Sequence, residues 1–173
     1  MNVGIIGNGA WGQALATLCA KAGNQARIGF RASRPVGFPG TPNLSALAAE
    51  SDLILIAVPA NAVRDVVLAT QLDAGMRVVL ATRGLVPDTG NWLSDLVIEL
   101  TPCRRAGVLT GPAVSAEVVD GRPAALVVAS EFDEVCSATQ QAFHSEQCRI
   151  YSSHDLRGVE LAGAMVRVLG IAL

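Results

Sequence analysis

Apolar residues come in two spacings that take turns along the chain. Short runs read as strands at VGII (3–6), ARIGF (26–30), LILIAV (53–58), RVVLAT (77–82), GVLT (107–110), ALVVA (125–129) and RIYS (149–152). Several are apolar at successive positions rather than at every second one, the pattern of strands covered on both faces. Between them lie longer stretches of helical period: AWGQALATLCAKAG, NLSALAAE, NAVRDVVLATQ, TGNWLSDLVIEL, AVSAEVVD and EFDEVCSATQQAFH. In the first of these, Ala14, Leu15, Leu18, Cys19 and Ala22 share one helical face. The alternation predicts an α/β fold, a doubly wound, mainly parallel sheet with helices on both faces. A last helical segment, GVELAGAMVRVLGIAL (158–173), is apolar nearly all round, as a helix buried on every side would be.

The strand at 3–6 runs straight into Gly7-Asn8-Gly9-Ala10-Trp11-Gly12, a G-x-G-x-x-G turn that opens the first helix. Each glycine has its own reason there. Gly7 permits the sharp exit from the strand, Gly9 lets the backbone approach a pyrophosphate with no Cβ in the way, and Gly12 lets the helix lie close on the sheet. Free amides at the helix N-terminus then face the phosphates, with the helix dipole behind them. A tight turn with no ligand would carry the same glycines; the strand before it and the helix after it point to a dinucleotide.

About twenty residues further on, an acid at the end of the second strand would hold the ribose 2′-hydroxyl of NAD. The chain reads Phe30-Arg31-Ala32-Ser33-Arg34 instead. Two guanidinium groups beside a serine suit a 2′-phosphate, so Arg31 and Arg34 favour NADP over NAD, although a solvated arginine pair at a loop entrance explains them equally well. Ligands of an open parallel sheet sit beyond the carboxyl ends of its strands. That rule gathers Val58-Pro59-Ala60, Thr82-Arg83-Gly84 and Gly111-Pro112-Ala113 around one crevice with Gly9.

Composition narrows the field. At 173 residues the chain suits one domain, and with 51% hydrophobic residues, 16% charged residues and a net charge of −2 it carries neither a disordered tail nor a polycationic face. Nucleic acid is not an expected partner, since aromatics, at 4%, are too few for stacking platforms. Cys19, Cys103, Cys136 and Cys148 form no CxxC pair and read as buried thiols of a reducing compartment. MNVGIIGNGAWG has no basic n-region, and Pro59, Arg64, Glu160 and Arg167 interrupt the apolar stretches well short of the ~20 residues of a membrane span. A cytoplasmic protein is expected, and no metal-ligand spacing joins the histidines to the cysteines.

These motifs, in this order, resemble the NAD(P)-dependent glycerol-3-phosphate dehydrogenases, which interconvert dihydroxyacetone phosphate and glycerol 3-phosphate. The likeness runs through GNGAWGQALA (7–16), AVPANAVR (57–64), ATRGL (81–85), TGPAVSAEV (110–118), RIYSSHDLRGVELAGA (149–164) and GIA (170–172). It implies a Rossmann-type domain over residues 1–153 and, at 154–173, the start of the helix that in the family leads into an all-helical substrate domain, itself expected to be absent here. It further implies a nicotinamide dinucleotide held by Gly7, Asn8, Gly9, Ala10, Trp11, Gly12, Arg31, Arg34, Pro59, Arg83 and Ser115, and a small phosphorylated three-carbon substrate. Without the substrate domain the last helix is expected to expose an apolar patch, and homodimerisation through residues 159–173 is the expected consequence.

The departures from the family carry as much weight. Its lysines, in TKGL and GALKN, correspond to Arg83 and Val166, and the second serves the family as general acid/base. An arginine does not release its proton in a protein and valine has none to release. Lys21, the sole lysine, ends the first helix, away from the crevice. The remaining candidates are Arg167, about 100° around the helix from Val166, and His154, which titrates in a useful range but also reads as an exposed residue at a helix start. Glu160, in the family's GVE segment, is expected to make structural hydrogen bonds, and the loop at 31–43, with FPG (38–40) resembling the family's YLPG, is shorter than usual. The expectation is a chain that binds NADP or NAD and turns over glycerol 3-phosphate weakly or not at all. The alternative is a non-catalytic dinucleotide-binding or sensing module that associates through its last helix.

Overall fold

The run Leu53-Ile54-Leu55-Ile56 is buried at every position because the two faces of its strand meet two different cores. Leu53 and Leu55 join one, Ile54 and Ile56 the other. A computed structural model describes residues 1–172, with side chains described as far as Val166. Its strands are β1 (Asn2–Ile6), β2 (Gln25–Gly29), β3 (Gly40–Thr41), β4 (Leu53–Ile56), β5 (Arg77–Leu80), β6 (Arg105–Thr110), β7 (Ala124–Ser130) and β8 (Cys148–Ser153). Its helices are α1 (Ala10–Lys21), α2 (Leu44–Ala49), α3 (Val63–Thr70), α4 (Leu93–Leu100), α5 (Ser115–Val119), α6 (Asp133–Phe143) and α7 (Leu156–Ala172).

The strands form one sheet in the order β3-β2-β1-β4-β5-β6-β7-β8. Every pairing is parallel except β6 with β7. One core takes Leu15 and Leu18 of α1, Val118 of α5 and Phe143 of α6; the other takes Leu47 of α2, Val67 of α3, Val97 of α4 and Leu156 of α7. This is the doubly wound α/β architecture. Chain order reverses direction between β1 and β4, the place where such sheets open a crevice. Ile6 lies level with Gly29 on one side and with Ile56 on the other, so Gly7, Phe30 and Ala57 leave the sheet together at that crevice.

Some expected boundaries shift for local reasons. The helix expected from Thr89 starts only at Leu93, because Asp88 and Gly90 take φ of 69° and 68° in a turn closed by the Val86 amide on the Asn91 carbonyl at 2.8 Å. The segment at 61–71 splits into a 3₁₀ turn, Ala60–Ala62, and α3. The proline-rich loop at 31–43 hides β3, tied to β2 by Ile28 N–H to the Pro39 carbonyl (2.9 Å) and Phe30 N–H to the Thr41 carbonyl (3.1 Å). All four cysteines are free and buried, and burial pushes the Cys19 thiol up to about 12 and Cys148 up to about 11, which keeps them protonated and unreactive. Among the described residues no helix is long and apolar enough to cross a membrane.

α7 has two characters. Its first half packs on the sheet: Leu156 is buried and Glu160 is 6% exposed. The Glu160 carboxylate accepts from the Ser94 amide at 3.0 Å and from the Ser94 hydroxyl at 2.6 Å, the structural role expected for it. It thereby caps the N-terminus of α4, which no side chain of its own caps. Arg157 completes the latch, donating to Asp95 at 2.6 Å and to the Ser94 hydroxyl at 3.1 Å, with its guanidinium 5.2 Å from the Trp92 ring centre. Farther along, Leu161, Met165 and Val166 are 42%, 41% and 38% exposed. The side chain of Arg167 and the rest of the apolar stretch to 173 lie outside the described residues.

Removing the buried carboxylate leaves the Ser94 amide and hydroxyl donors without an acceptor, and only Asp95 as an acid in the first turn of α4. Glu160→Ala is expected to lower unfolding free energy by about 2–4 kcal/mol, read as a lower urea midpoint, with Glu160→Gln losing less because its amide oxygen still accepts.

Candidate dinucleotide site

The turn after β1 is set by backbone contacts. Gly7 has φ of 129°, and a Cβ there would fall on the Ala57 carbonyl. A Cβ at Gly12 would fall on the Gly7 carbonyl, so α1 can sit this close to β1 only as glycine. Gly9 differs from both. Its φ of −76° suits any residue, and a Cβ there would meet nothing within 4 Å. The fold therefore requires Gly7 and Gly12 and does not require Gly9, and the space that Gly9 keeps open belongs to the cleft. α1 follows with no side-chain cap and no acidic residue in its first turn, which leaves its N-terminal amides and positive dipole end facing that space.

Two cavities meet over Gly9, with Val58 and Pro59 as shared walls. The first, about 720 Å³, lies between the glycine turn, Phe30 to Ser33 after β2, Pro42 to Leu44 at the start of α2, and a face formed by Ala62 of the 3₁₀ turn and Asp65, Val66 and Ala69 of α3. The second, about 700 Å³, is lined by Ala10 and Trp11, Thr82 to Gly84 after β5, Ala113 to Ser115 before and at the start of α5, and Gly163 and Ala164 of α7. A ligand with two arms and an anionic middle fits this shape, the middle over Gly9.

Hydrogen bonds hold the walls in place. Asn8 Nδ2 donates to the Ser33 carbonyl at 2.9 Å, which ties the glycine turn to the loop that carries the arginines. Trp11 Nε1 donates to the Ala81 carbonyl at 3.0 Å. Thr82 Oγ1 bridges the carbonyls of Ile56 (3.1 Å) and Val58 (2.8 Å), fixing the exits of β4 and β5 together. Arg83 reaches across the second cavity, donating through Nη2 to the carbonyls of Gly111 (2.6 Å) and Ala113 (3.1 Å), with its guanidinium 6.0 Å from the Trp11 ring centre. Gly163 is packed on Thr110, whose Oγ1 would stand 2.7 Å from a Cβ at that position, and this closeness brings α7 to the cleft.

Most of the residues anticipated from sequence converge here: Gly7, Asn8, Gly9, Arg31 and Pro59 on the first cavity, and Gly9, Ala10, Trp11, Pro59, Arg83 and Ser115 on the second. Arg34 lines neither, since the chain has turned away by then and Ser33 takes the inner position. Among the catalytic candidates, His154 lies apart from the cleft. β7 and β8 run opposite to β6, so β8 ends at the edge of the sheet away from the cleft, and His154 follows it there, 3.5 Å from Asp133 at the start of α6. Val166 is exposed on α7 just beyond Gly163 and Ala164. Asp65 and Asn43 were not anticipated; the α3 spacing 62, 65, 66, 69 is a one-face pattern that would have flagged Asp65. Among the described residues no group of three or more His, Cys, Asp or Glu is placed to hold a metal ion.

Fold and cleft together define a Rossmann-type dinucleotide-binding domain. The family model of the NAD-dependent glycerol-3-phosphate dehydrogenase N-terminus matches residues 33–136. A glycerol-3-phosphate dehydrogenase [NAD(P)+] of Ectopseudomonas mendocina is 34% identical over 98% of this chain and 56% of its own length, and one of Thioalkalivibrio sulfidiphilus 35% identical over 98% and 58%. The crystal structure of glycerol-3-phosphate dehydrogenase from Coxiella burnetii superposes with a TM-score of 0.87 at 27% identity, covering 99% of this chain and 59% of that one. The chain belongs to the NAD(P)-dependent glycerol-3-phosphate dehydrogenase family, matches its N-terminal domain, and spans somewhat over half the length of these relatives.

The glycines separate fold from ligand. Gly12→Ala is expected to destabilise the domain by several kcal/mol, on the order of a severe overpacking, whereas Gly9→Val should leave the melting temperature nearly unchanged and abolish detectable cofactor binding by calorimetry.

Proposed function

We propose that this chain holds a nicotinamide adenine dinucleotide across the two cavities, as the cofactor-binding half of a glycerol-3-phosphate dehydrogenase-like oxidoreductase. The observation that carries the reading is the unfilled space at Gly9 between two cavities of nearly equal volume, at an uncapped helix N-terminus. Gly9 and the amides of Ala10 to Gly12 would take the pyrophosphate, the Arg31 side the adenosine arm, and Trp11, Arg83 and Ser115 the nicotinamide arm. The bound cofactor would supply the hydride acceptor or donor.

NADP is the proposed preference. Arg31 lines the adenosine cavity beside Ser33, and no acid follows β2 to take a 2′-hydroxyl. Arg34, which lines neither cavity, is not needed for that preference. The proposed substrate pair, dihydroxyacetone phosphate and glycerol 3-phosphate, rests on the family, and a cytoplasmic setting rests on four free, buried thiols. Self-association through α7, where Leu161, Met165 and Val166 are exposed, belongs to the same proposal.

Proton transfer is the weak point of this site. Arg83 stays charged and its guanidinium is already held by the Gly111 and Ala113 carbonyls, while Val166 carries no proton. These two positions favour a second reading, a dinucleotide-binding or sensing module without catalysis. Loss of a positioned acid/base costs about 10²–10⁴ in rate, so oxidation of glycerol 3-phosphate by the purified chain is expected at or below the limit of a cofactor-reduction assay; robust turnover would overturn this part of the proposal.

Calorimetric titration with NADPH and NADH side by side tests the binding reading. NADPH should bind more tightly, and Arg31→Ala should weaken NADPH by about tenfold, the size of one charge-assisted contact, while leaving NADH nearly unchanged. Equal affinities in the unsubstituted chain would remove the NADP preference.

A further inference from the structure

Five polar side chains line the adenosine cavity: Asn8, Arg31, Ser33, Asn43 and Asp65. Three are engaged by the protein itself. Asn8 donates to the Ser33 carbonyl and hydroxyl, at 2.9 and 3.3 Å, which also occupies Ser33. Asn43 caps α2, its side-chain oxygen accepting from the Ala46 amide at 3.1 Å and the Ser45 hydroxyl at 3.0 Å. The side chains of Arg31 and Asp65 have no hydrogen-bond or ion-pair partner among the described residues.

The pair is complementary in kind. Arg31 only donates and carries positive charge; Asp65 only accepts and carries negative charge. A ligand that answers both must bring an anion to one and an N–H donor to the other. The α3 face that carries Asp65 starts beside Pro59, next to Gly9, and runs outward through Ala62, Asp65, Val66 and Ala69. Ala62, Val66 and Ala69 give a flat base an apolar wall, and Asp65 is the single acceptor-only side chain lining the cavity.

We infer that Asp65 reads the base: its carboxylate accepts the exocyclic amino group of adenine and selects adenine dinucleotides over those with a carbonyl oxygen at that position. The inference rests on the dinucleotide reading above and adds to it a residue that sets base specificity. A carbonyl oxygen would face the carboxylate with no proton between them, an unpaired contact where the amino group makes a charge-assisted one. Asp65 also lies in the first turn of α3, where its charge favours the helix dipole. That role affects stability, not the choice between two bases.

The test titrates the full chain with NADH and with reduced nicotinamide hypoxanthine dinucleotide, which differs only in carrying oxygen in place of the amino group and the matching ring proton. NADH should bind roughly tenfold more tightly. In Asp65→Asn, whose amide both donates and accepts, the ratio should fall close to one, chiefly through tighter binding of the hypoxanthine form; the urea midpoint of the same variant reports the dipole role separately. Equal binding of the two dinucleotides by the unsubstituted chain, or an unchanged ratio in Asp65→Asn, overturns the inference while leaving the dinucleotide reading intact. Failure to bind NADH or NADPH at all overturns both.

Discussion

The structure depends on how closely α1 can lie against β1. Gly12 sits on the Gly7 carbonyl with no room for a methyl group, and Gly7 leaves the strand at a φ of 129° beneath the Ala57 carbonyl. Those two contacts aim the N-terminus of a three-turn helix at the carboxyl edge of the sheet, where chain order reverses and a crevice must open. Shift α1 outward by the width of a Cβ and its amides would no longer converge above Gly9. Ser33 would lose Asn8 and the Ala81 carbonyl would lose Trp11, the partners that hold two of the cleft walls to the turn and the helix. The ligand geometry is thus a by-product of backbone packing, and side chains of modest size finish it.

At the other end of the chain a single buried carboxylate does similar work. Glu160 satisfies the α4 N-terminus and fixes the entry angle of α7, so that Gly163 comes down on Thr110 and the helix reaches the second cavity of the cleft. An apolar residue at 160 would pack the same volume but would leave the Ser94 amide and hydroxyl unanswered. The polar latch therefore sets the orientation of α7, and with it whatever the exposed side of α7 meets. Leu161, Met165 and Val166 lie on that exposed side.

Much of this was legible in the sequence, for identifiable reasons. Strands apolar at successive positions can only be covered on both faces, so β1, β4 and β5 announced a parallel sheet; the glycine turn announced the crevice. The unread parts share a cause: they depend on which edge of the sheet an element ends at. His154 looks like a candidate acid in a linear chain, and only the antiparallel step from β6 to β7 sends it to the far edge. Arg34 is one residue past Ser33, and the bond from Asn8 to Ser33 decides which of the neighbouring side chains faces inward. β3 has two residues and no apolar run, so its pairing to β2 left no periodicity to detect. Asp65 was detectable, as the polar member of a helical stripe at 62, 65, 66 and 69, but a charged residue in the first turn of a helix has a sufficient local explanation and attracts no attention.

The cleft separates binding from proton chemistry in a physically sensible way. Holding a dinucleotide needs amides, a dipole, walls and one or two charges, and each of these is either backbone or a side chain whose charge never changes. Moving a proton needs a group that changes its charge at the reacting oxygen, and neither Arg83 nor Val166, the residues at the positions where the resemblance expects lysine, can do that. Arg83 illustrates the distinction. Its guanidinium retains the positive charge that a lysine would bring to the site, donates through Nη2 to both the Gly111 and Ala113 carbonyls, and lies 6.0 Å from the Trp11 ring centre. The exchange keeps a positive charge on the wall of the second cavity and ties that wall to the approach to α5, in a group that does not release its proton.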